Sequence, residues 1–372
     1  MIISTLTASI EASEYPIWIG GDLLREIPGC LRSFTGSTQV LLLADAFFRD
    51  GYGGRIEGHL RSSGFDVTAH YLQGGKSHKT IGSALEILDA LEAKEFTRDA
   101  TLVALGGGVV GDVGGLVAAL YFRGMNLVHI PSTITAQIDS AIGGKVAVNH
   151  NVTVNAIGTY YHPRAILLDL DLIRDLPARE FISGMAEVIK SALICDRGFC
   201  DFLLQHSAAL SARAPEYLSE MIRRTVQIKL DHVEQDPREK GIRLHLNYGH
   251  TIGQSIETST GLEREFYRHG EAVALGMLGA ARLADLHYGD GHDRLAAHHE
   301  LLDAYGLPRV IDPASFDGNP EGLKQAIFRN LFKDKKRVAS GLRFVLLPDL
   351  GRAEVVAGVD ELLVQEAIAS LF

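Results

Sequence analysis

The sequence has few of the features that mark membrane, secreted or nucleic-acid-binding proteins. No apolar stretch reaches the ~18 residues that a membrane-spanning helix needs. The N-terminal segment contains Glu11 and Glu14 and lacks a basic stretch followed by an apolar run, so it does not resemble a signal peptide. The formal net charge of −10 is spread without long blocks of one sign, which argues against a nucleic-acid or membrane-surface partner. We therefore expect a cytoplasmic protein that binds a small anionic molecule.

Cysteine is also scarce. Cys30, Cys195 and Cys200 follow neither a metal-binding spacing nor an even disulfide count, and are typical of the reduced, ordinary cysteines of a cytosolic protein. By contrast, 46% of the 372 residues are hydrophobic, which is enough for a large core. The length favours two domains over one.

The pattern of predicted elements differs between the two halves of the chain. In the first half, short β-rich runs alternate with helical patterns, at residues 39–43, 67–71, 100–105, 127–130 and 165–168. This alternation predicts a parallel sheet covered by helices. Longer amphipathic runs predict a mainly helical second half, at residues 179–193, 216–233 and 270–286. Placing the boundary at Leu176 and Pro177 gives an α/β domain of residues 1–176 and a mainly α-helical domain of residues 177–372.

A glycine-rich loop, GGGVVGD at residues 106–112, follows one predicted strand and precedes a helical run at residues 114–121. At a helix N-terminus, such a loop lets backbone N–H groups approach a diphosphate. The spacing satisfies G-x-G-x-x-G, but the next strand ends in Pro-Ser-Thr, without the acidic residue that holds a ribose in the usual fingerprint. The alternative is that these glycines serve only close packing in the turn.

Two polar groups in the helical half have the composition of a metal site. Glu187 and Lys190 are three residues apart and share one helical face, so that Glu187 can bind a divalent cation while Lys190 meets a substrate oxygen. His250 and His269 supply two imidazoles, each close to a predicted helix start. Two histidines and one glutamate leave coordination positions open, which is the pattern of a catalytic rather than a structural zinc site.

His250 also belongs to a polar stripe with Arg243, Asn247 and Gln254. The spacing of i, i+4, i+7 and i+11 predicts that these four side chains lie along one side of a single helix. A polar stripe on an otherwise apolar helix favours a ligand.

A set of cationic and amide side chains could surround an anion. The segment of residues 139–150, DSAIGGKVAVNH, is too polar and glycine-rich for a covering helix and is predicted to be a substrate loop. Asn155, Lys229, Arg243 and the pair Lys335 and Lys336 could gather around a phosphate and a carboxylate. Each lysine taken alone is typical of a solvated surface charge.

Together, these ordered motifs resemble the 3-dehydroquinate synthase family along nearly the whole chain. The matching segments are residues 106–112, 121–124, 137–150, 184–190, 229–236, 243–253, 269–273 and 334–336. The resemblance implies an α/β nucleotide-binding domain followed by a mainly helical metal- and substrate-binding domain. It also implies NAD and a divalent metal, zinc or cobalt, as cofactors, a sugar phosphate as substrate, and a homodimer.

The resemblance also assigns residues to roles. The implied metal ligands are Glu187, His250 and His269. The implied cofactor-binding residues are Asp45, Lys79, Gly107, Gly108, Asp112, Ser132 and Thr133. Catalytic positions match Asp139, Lys145, Lys190, Lys229 and Gln254. Substrate-binding positions match Arg123, Asn155, Arg243, Asn247 and Lys336, and Arg123 corresponds to an arginine that the neighbouring subunit contributes.

Four positions depart from the family pattern. Lys76 replaces a usual glutamate, Val154 a lysine and Asp175 a threonine, all on the cofactor side. Gln254 replaces the second histidine of the stripe. Glutamine can hydrogen-bond a phosphate but cannot transfer a proton near neutral pH.

The function implied is that of a carbon–oxygen lyase of the shikimate pathway and aromatic amino acid biosynthesis. It converts 3-deoxy-D-arabino-heptulosonate 7-phosphate to a carbocycle with release of phosphate. Three alternatives remain open: a sister cyclase of secondary metabolism, such as the aminodehydroquinate type; a metal-dependent alcohol dehydrogenase; and a catalytically silent paralogue that only binds a ligand or partner.

Overall fold

The structure is a computed structural model that describes residues 1–151, 153–261, 265–289, 292–335 and 342–372. Two compact units make up the chain. The first contains residues 1–176 and 218–230, and the second contains residues 177–217 and 231–372. The functional division into a cofactor domain and a metal and substrate domain stays a prediction. Lys336, one of the predicted substrate residues, lies outside the described residues.

The first unit is built on a seven-stranded sheet. Its strands are β1 (Ile2–Ile10), β2 (Ser13–Gly20), β3 (Gln39–Asp45), β4 (Asp66–Leu72), β5 (Thr101–Gly106), β6 (Asn126–Pro131) and β9 (Ala165–Asp169). They lie in the order β1-β2-β9-β6-β5-β3-β4, and all neighbours pair in parallel except β1 with β2. The helices of this part of the chain are α1 (Ile27–Arg32), α2 (Gly54–Ser62), α3 (Ile81–Ala93), α4 (Gly108–Leu120) and α5 (Leu170–Arg174).

Both faces of this sheet are buried. Along β3, Leu42 packs in one apolar cluster with α1 and α2, whereas Leu41 and Leu43 pack in another with α3 and α4. A parallel strand that is covered on both faces reads as a continuous hydrophobic run rather than an alternating one. This burial explains why the inner strands β3, β5, β6 and β9 could be predicted from the sequence. They and the edge strand β4 are the five predicted strands, and all five are confirmed.

A separate hairpin joins β7 (Lys145–His150) to β8 (Thr153–Tyr160) in antiparallel register. The prediction of a substrate loop over residues 139–150 is therefore wrong at both ends, because residues 139 and 140 end the helical turn Ala136–Ser140 and residues 145–150 form a strand. The polar residues that disfavoured a helix there are accommodated by the alternation of a hairpin strand, in which Val146 and Val148 are buried.

The second unit is mainly helical. Its helices are α6 (Ala178–Cys195), α7 (Arg197–Gln205), α8 (Ser207–Ser211), α10 (His250–Ser259), α11 (His269–Tyr288), α12 (His292–Ala304), α13 (Pro320–Lys335) and α14 (Glu361–Ala369), with a hairpin of β10 (Arg343–Asp349) and β11 (Arg352–Ala357). The long helix α9 (Pro215–Gln235) contributes its middle residues to the first unit and its two ends to the second. None of the helices in the described ranges combines the length and the apolar content of a membrane span.

Candidate active site

Two charged side chains of α6 are buried together. Glu187 and Lys190 are 1% and 3% exposed, and Lys190 Nζ lies 2.6 Å from Glu187 Oε2. The spacing of three residues places both groups on one helical face, as the sequence predicted. Because an isolated buried charge is costly, each group needs the other or a further ion to stay charged in this environment.

His250 is the first residue of α10. The preceding Gly249 has a left-handed backbone, with φ of 75°, and follows Tyr248, which ends the short 3₁₀ turn Ile242–Asn247. The stripe predicted over residues 243–254 is therefore not one helix, because a left-handed residue interrupts it. Arg243 and Asn247 lie in the 3₁₀ turn, and His250 and Gln254 lie on α10.

His269 is the first residue of α11, and several contacts fix this helix start. Glu271 accepts a hydrogen bond from Arg268 N at 2.8 Å and two from the Arg179 guanidinium at 2.7 and 2.8 Å. Gly270 packs so closely on α6 that a Cβ atom there would lie 1.8 Å from the Ser183 carbonyl oxygen. The backbone that carries His269 is thereby held against the helix that carries Glu187.

The three predicted metal ligands converge. His269 Nε2 lies 3.1 Å and His250 Nε2 lies 3.4 Å from the same Glu187 Oε1. One ligand atom of each residue lies within 4.8 Å of those of the other two, and the imidazole centroids are 5.3 Å apart. The cluster has the size and the nitrogen and oxygen donors of a divalent metal site.

The other ring nitrogen of each histidine faces a hydrogen-bond acceptor. His250 Nδ1 donates to the Tyr248 carbonyl oxygen at 3.2 Å, and His269 Nδ1 donates to Glu257 Oε2 at 3.3 Å. With the proton on Nδ1, the lone pair of a neutral imidazole is on Nε2, which is the nitrogen that faces Glu187 in both residues. The residues therefore fit a bound divalent cation.

The cluster shifts the pKa values of its members. Burial raises the pKa of Glu187, but the Lys190 ammonium and the two imidazoles outweigh burial and hold that pKa well below its usual range. Burial lowers the pKa of His269, yet its bonds to Glu187 and Glu257 outweigh burial and raise the pKa to about 9. Without a metal, His269 is therefore charged at neutral pH, and a bound cation would displace its Nε2 proton to leave the neutral imidazole as ligand. Glu187 is therefore an anion that is available to a cation at neutral pH.

Glu257 was not predicted as a site residue from the sequence. It lies seven residues after His250, about two helical turns on, and so on the same side of α10. That spacing was the available signal, but nothing in the sequence indicated that a residue of α10 contacts the start of α11.

The remaining predicted residues of the second unit do not all join this cluster. Arg243 is 1% exposed, and its Nη1 donates to the Pro237 carbonyl oxygen at 2.6 Å. Asn247 Nδ2 donates to Glu239 Oε1 at 3.0 Å. Gln254 is exposed on α10. Their roles toward a substrate stay predictions.

In the first unit, three of the predicted residues meet beside the glycine loop. Lys79 Nζ contacts Asp112 Oδ2 on α4 and Asn155 Oδ1 on β8. Burial raises the pKa of Asp112, and the neighbouring Lys79 ammonium opposes this effect. Asn155 was predicted to lie with the phosphate-binding residues, whereas in the structure it lies next to Lys79 of the predicted cofactor set.

The glycine loop itself has the predicted strand–loop–helix arrangement. Gly107 is the extended residue before α4, and a Cβ atom there would lie 3.5 Å from Thr133 Cγ2. A Cβ atom on Gly108 would lie 3.3 Å from Ser140 Oγ. Ser132 is buried, and its N–H donates to the Gly106 carbonyl oxygen at 2.9 Å. These contacts keep the ends of β5 and β6 together at the N-terminus of α4.

Five further predicted residues also belong to the first unit. Asp45 ends β3 and accepts a hydrogen bond from Phe47 N at 2.9 Å. Asp139 pairs with Lys229 of α9. Lys145 begins β7 and is exposed. Arg123 is exposed in the turn Tyr121–Arg123, whose last two residues are left-handed, since φ is 46° at Phe122 and 63° at Arg123.

Comparison with known proteins identifies the family. The model of the 3-dehydroquinate synthase N-terminal region matches residues 69–183, and that of the C-terminal region matches residues 184–337. The 3-dehydroquinate synthase of Syntrophotalea carbinolica is 38% identical over 351 residues, 94% of this chain and 94% of that protein. The chain belongs to the 3-dehydroquinate synthase family. Both the predicted family and its enzyme class, a phosphate-eliminating carbon–oxygen lyase, are confirmed.

Two solved structures of other cyclases show the same fold as this member of the 3-dehydroquinate synthase family. The first is 2-deoxy-scyllo-inosose synthase with carbaglucose-6-phosphate, NAD+ and Co2+, which is 27% identical, with a TM-score of 0.88 over 99% of this chain and 100% of that chain. The second is 2-epi-5-epi-valiolone synthase from Streptomyces hygroscopicus subsp. jinggangensis 5008 with NAD+ and Zn2+, also 27% identical, with a TM-score of 0.84 and 98% coverage of both chains. The predicted fold class is confirmed.

Proposed function

We propose that this chain is a sugar phosphate cyclase that uses catalytic NAD and a divalent metal to convert 3-deoxy-D-arabino-heptulosonate 7-phosphate to a carbocycle with release of phosphate. The observation that carries the proposal is the buried cluster of Glu187, His250 and His269 beside Lys190. The relative from Syntrophotalea carbinolica, a 3-dehydroquinate synthase, supports this choice of substrate over other sugar phosphates.

When bound, NAD supplies an acceptor that takes a hydride from the substrate and later returns it, and the metal supplies a Lewis acid. The donor set described above would hold the metal. Glu187, His250 and His269 provide one anionic and two neutral ligand atoms and leave coordination positions for substrate oxygens. Zinc and cobalt both suit such a set of nitrogen and oxygen donors.

Lys190 positions the reacting oxygen in this proposal. Its ammonium is held 2.6 Å from Glu187 Oε2, and the pair is buried, so little water competes for its remaining N–H donors. An ammonium fixed in this way orients a substrate hydroxyl and stabilises negative charge that develops on it. In the first unit, Lys79 and Asp112 would hold NAD next to the glycine loop, and Lys229, paired with Asp139, would bind an oxygen of the substrate.

A coupled assay tests the proposed reaction. Purified protein with NAD, zinc or cobalt and the heptulosonate phosphate should release phosphate without net accumulation of NADH, because oxidation and reduction occur on the same bound cofactor. Phosphate release and absorbance at the NADH wavelength are followed together, and protein without added substrate is the control. Stoichiometric build-up of NADH would contradict a cyclase and favour a dehydrogenase.

A sister cyclase that acts on another sugar phosphate is the second candidate. The observation that favours it is Gln254, an exposed amide on α10 at the position where the family pattern has histidine. The two structural neighbours also carry the names of cyclases with other products. Phosphate release measured over a panel of carboxylate-bearing and neutral sugar phosphates separates the two: a preference for a neutral one would replace the first proposal with the second.

A further inference from the structure

Glu257 of the second unit is a largely buried acidic residue that contacts a proposed metal ligand. It lies on α10 and is 9% exposed, and its Oε2 accepts a hydrogen bond from His269 Nδ1 at 3.3 Å. A mostly buried carboxylate loses much of its solvation, so it needs a hydrogen-bond donor or a positive charge nearby to offset the lost solvation free energy. One such partner of Glu257 is the imidazole of His269, a proposed metal ligand.

The two imidazoles of the cluster are held in unequal ways. His250 Nδ1 donates to a neutral acceptor, the Tyr248 carbonyl oxygen, whereas His269 Nδ1 donates to a carboxylate. A carboxylate acceptor pulls the Nδ1 proton more strongly and leaves more electron density on Nε2, so it makes the imidazole a stronger ligand. Of the two imidazoles, His269 is therefore the one whose Nε2 is made more basic by its hydrogen-bond partner.

Glu257 also fixes the direction of the ring. His269 begins α11, and its backbone is already held by the Glu271 contacts and by the close approach of Gly270 to Ser183. The remaining freedom is rotation of the side chain. Two opposed contacts remove this freedom, because Nδ1 is bound to Glu257 and Nε2 lies 3.1 Å from Glu187 Oε1.

We propose that Glu257 is a positioning residue for the metal site. It holds the Nδ1 proton on His269, directs Nε2 of that ring toward the cation and raises its strength as a ligand. The proposal rests on the proposed function in one respect, since it assumes that Glu187, His250 and His269 bind a divalent cation. It assumes nothing about the substrate or about catalysis.

The test measures Zn2+ and Co2+ binding to the metal-stripped full chain, without substrate or NAD. Glu257→Gln keeps a hydrogen-bond acceptor of the same length but removes the charge, and should weaken Zn2+ binding by about 10–100-fold and shift the visible absorption bands of bound Co2+. Glu257→Ala should weaken binding at least as much. Thr258→Ala, an exposed change on the next residue of the same helix, is the matched control and should bind Zn2+ as the unmodified chain does.

A second readout follows the proton directly. In the zinc form, the Nδ1–H signal of His269 in nitrogen-15 histidine spectra should be slow to exchange, and it should exchange faster or disappear in Glu257→Ala. Glu257→Gln with unchanged Zn2+ affinity and an unchanged Co2+ spectrum would overturn the role of Glu257 alone. If the unmodified chain binds neither ion, or if His269→Ala binds both as tightly, the metal site of the proposed function is itself wrong. Melting curves in chelator show whether each variant is folded.

Discussion

At the scale of single residues, Glu187 is bound to more of the candidate site than any other side chain in the described ranges. Its two oxygens contact the Lys190 ammonium and both imidazoles. Removing Glu187 would leave the Lys190 charge buried without its partner, at a cost of about 3–5 kcal/mol in folding free energy. A Glu187 variant therefore tests folding and metal binding together, and a histidine variant is the cleaner probe of the metal.

His250→Ala should lose the bound metal and the turnover that depends on it, because removing one of three protein ligands leaves only two to hold the metal. The measurement is metal content after dialysis, with the rate of phosphate release measured in parallel. His206→Ala is the control, since this imidazole packs on the rings of Phe202 and Tyr217 in the same unit. Full metal content and full rate in His250→Ala would show that the ligand assignment is wrong.

Gln254 gives a second prediction at this scale. An amide cannot relay a proton, so the proton must pass through another group or water, and the enzyme should work more slowly than with histidine at this position. Gln254→His should raise the rate, by up to the ~10²-fold at the lower end of general acid–base contributions. The pH profile should gain an inflection near the histidine pKa, ~6.5 unless the site shifts it. If the unmodified enzyme has a high turnover rate and Gln254→His has a lower one, the result would favour the sister cyclase.

At the scale of elements, glycines bring α10 and α11 close enough for their first residues, His250 and His269, to lie in one cluster with Glu187. A Cβ atom on Gly276 of α11 would lie 2.0 Å from the Gly249 carbonyl oxygen, and one on Gly253 would lie 2.8 Å from the Ala272 carbonyl oxygen. Only hydrogen in place of a side chain permits backbones to approach this closely. His250 directly follows Gly249, so the position of the imidazole depends on this contact.

Gly276→Ala should displace the start of α10 and weaken zinc binding, besides lowering the free energy of unfolding by the ~1–3 kcal/mol of an overpacked core. Gly279→Ala on the same helix is the matched control, because its new methyl group would meet the end of the flexible Ile252 side chain at 2.9 Å. Zinc affinity and the urea midpoint are measured for both variants. Equal zinc affinity in the two would show that the helix contact does not position His250.

The elements also show what the sequence could predict. The strands β3, β4, β5, β6 and β9 are short β-rich runs, and the long helices α6, α9 and α11 have strong periodic patterns. The existence of these elements was therefore predictable, and only their ends moved by a few residues. The break in the helical pattern at Gly249 could not be predicted, because a glycine within a helical spacing is compatible with either a continuous helix or a turn. The strands β1 and β2 were also missed.

The candidate site could be predicted only where chemistry and spacing agreed. Glu187, His250 and His269 carry metal-ligand atoms on predicted helices, and the structure brings them together. Glu257 and the contact of Lys79 with Asn155 depend on which helix or hairpin packs against which. Such long-range packing is not encoded in local periodicity, so these contacts required the structure.

At the scale of the whole molecule, each unit buries a histidine in its neutral form. His129 lies on β6 in the first unit. His298 lies on α12 in the second unit, where its ring bonds the Tyr248 hydroxyl at 2.8 Å and the Arg294 carbonyl oxygen at 2.7 Å. Burial lowers the pKa of each to about 4. The folded pKa is below the unfolded value of ~6.5, so the unfolded chain takes up these protons first as the pH falls.

The stabilisation that depends on the two neutral imidazoles is therefore complete above pH ~6.5 and is lost as the pH falls from there toward 4. Between these pH values, each histidine should add about 1.4 kcal/mol per pH unit to the slope of the free energy of unfolding against pH, or about 3 kcal/mol in total. Unfolding by urea is measured from pH 4 to 8, with separate transitions fitted if the units unfold independently. Below pH 6.5, His129→Leu and His298→Leu should each lower the slope of the unfolding free energy against pH by the contribution of one proton, about 1.4 kcal/mol per pH unit. Above pH 7.5, the curve of each variant should run parallel to that of the unmodified chain. An unchanged slope below pH 6.5 in either variant would show that this histidine is charged in the folded protein.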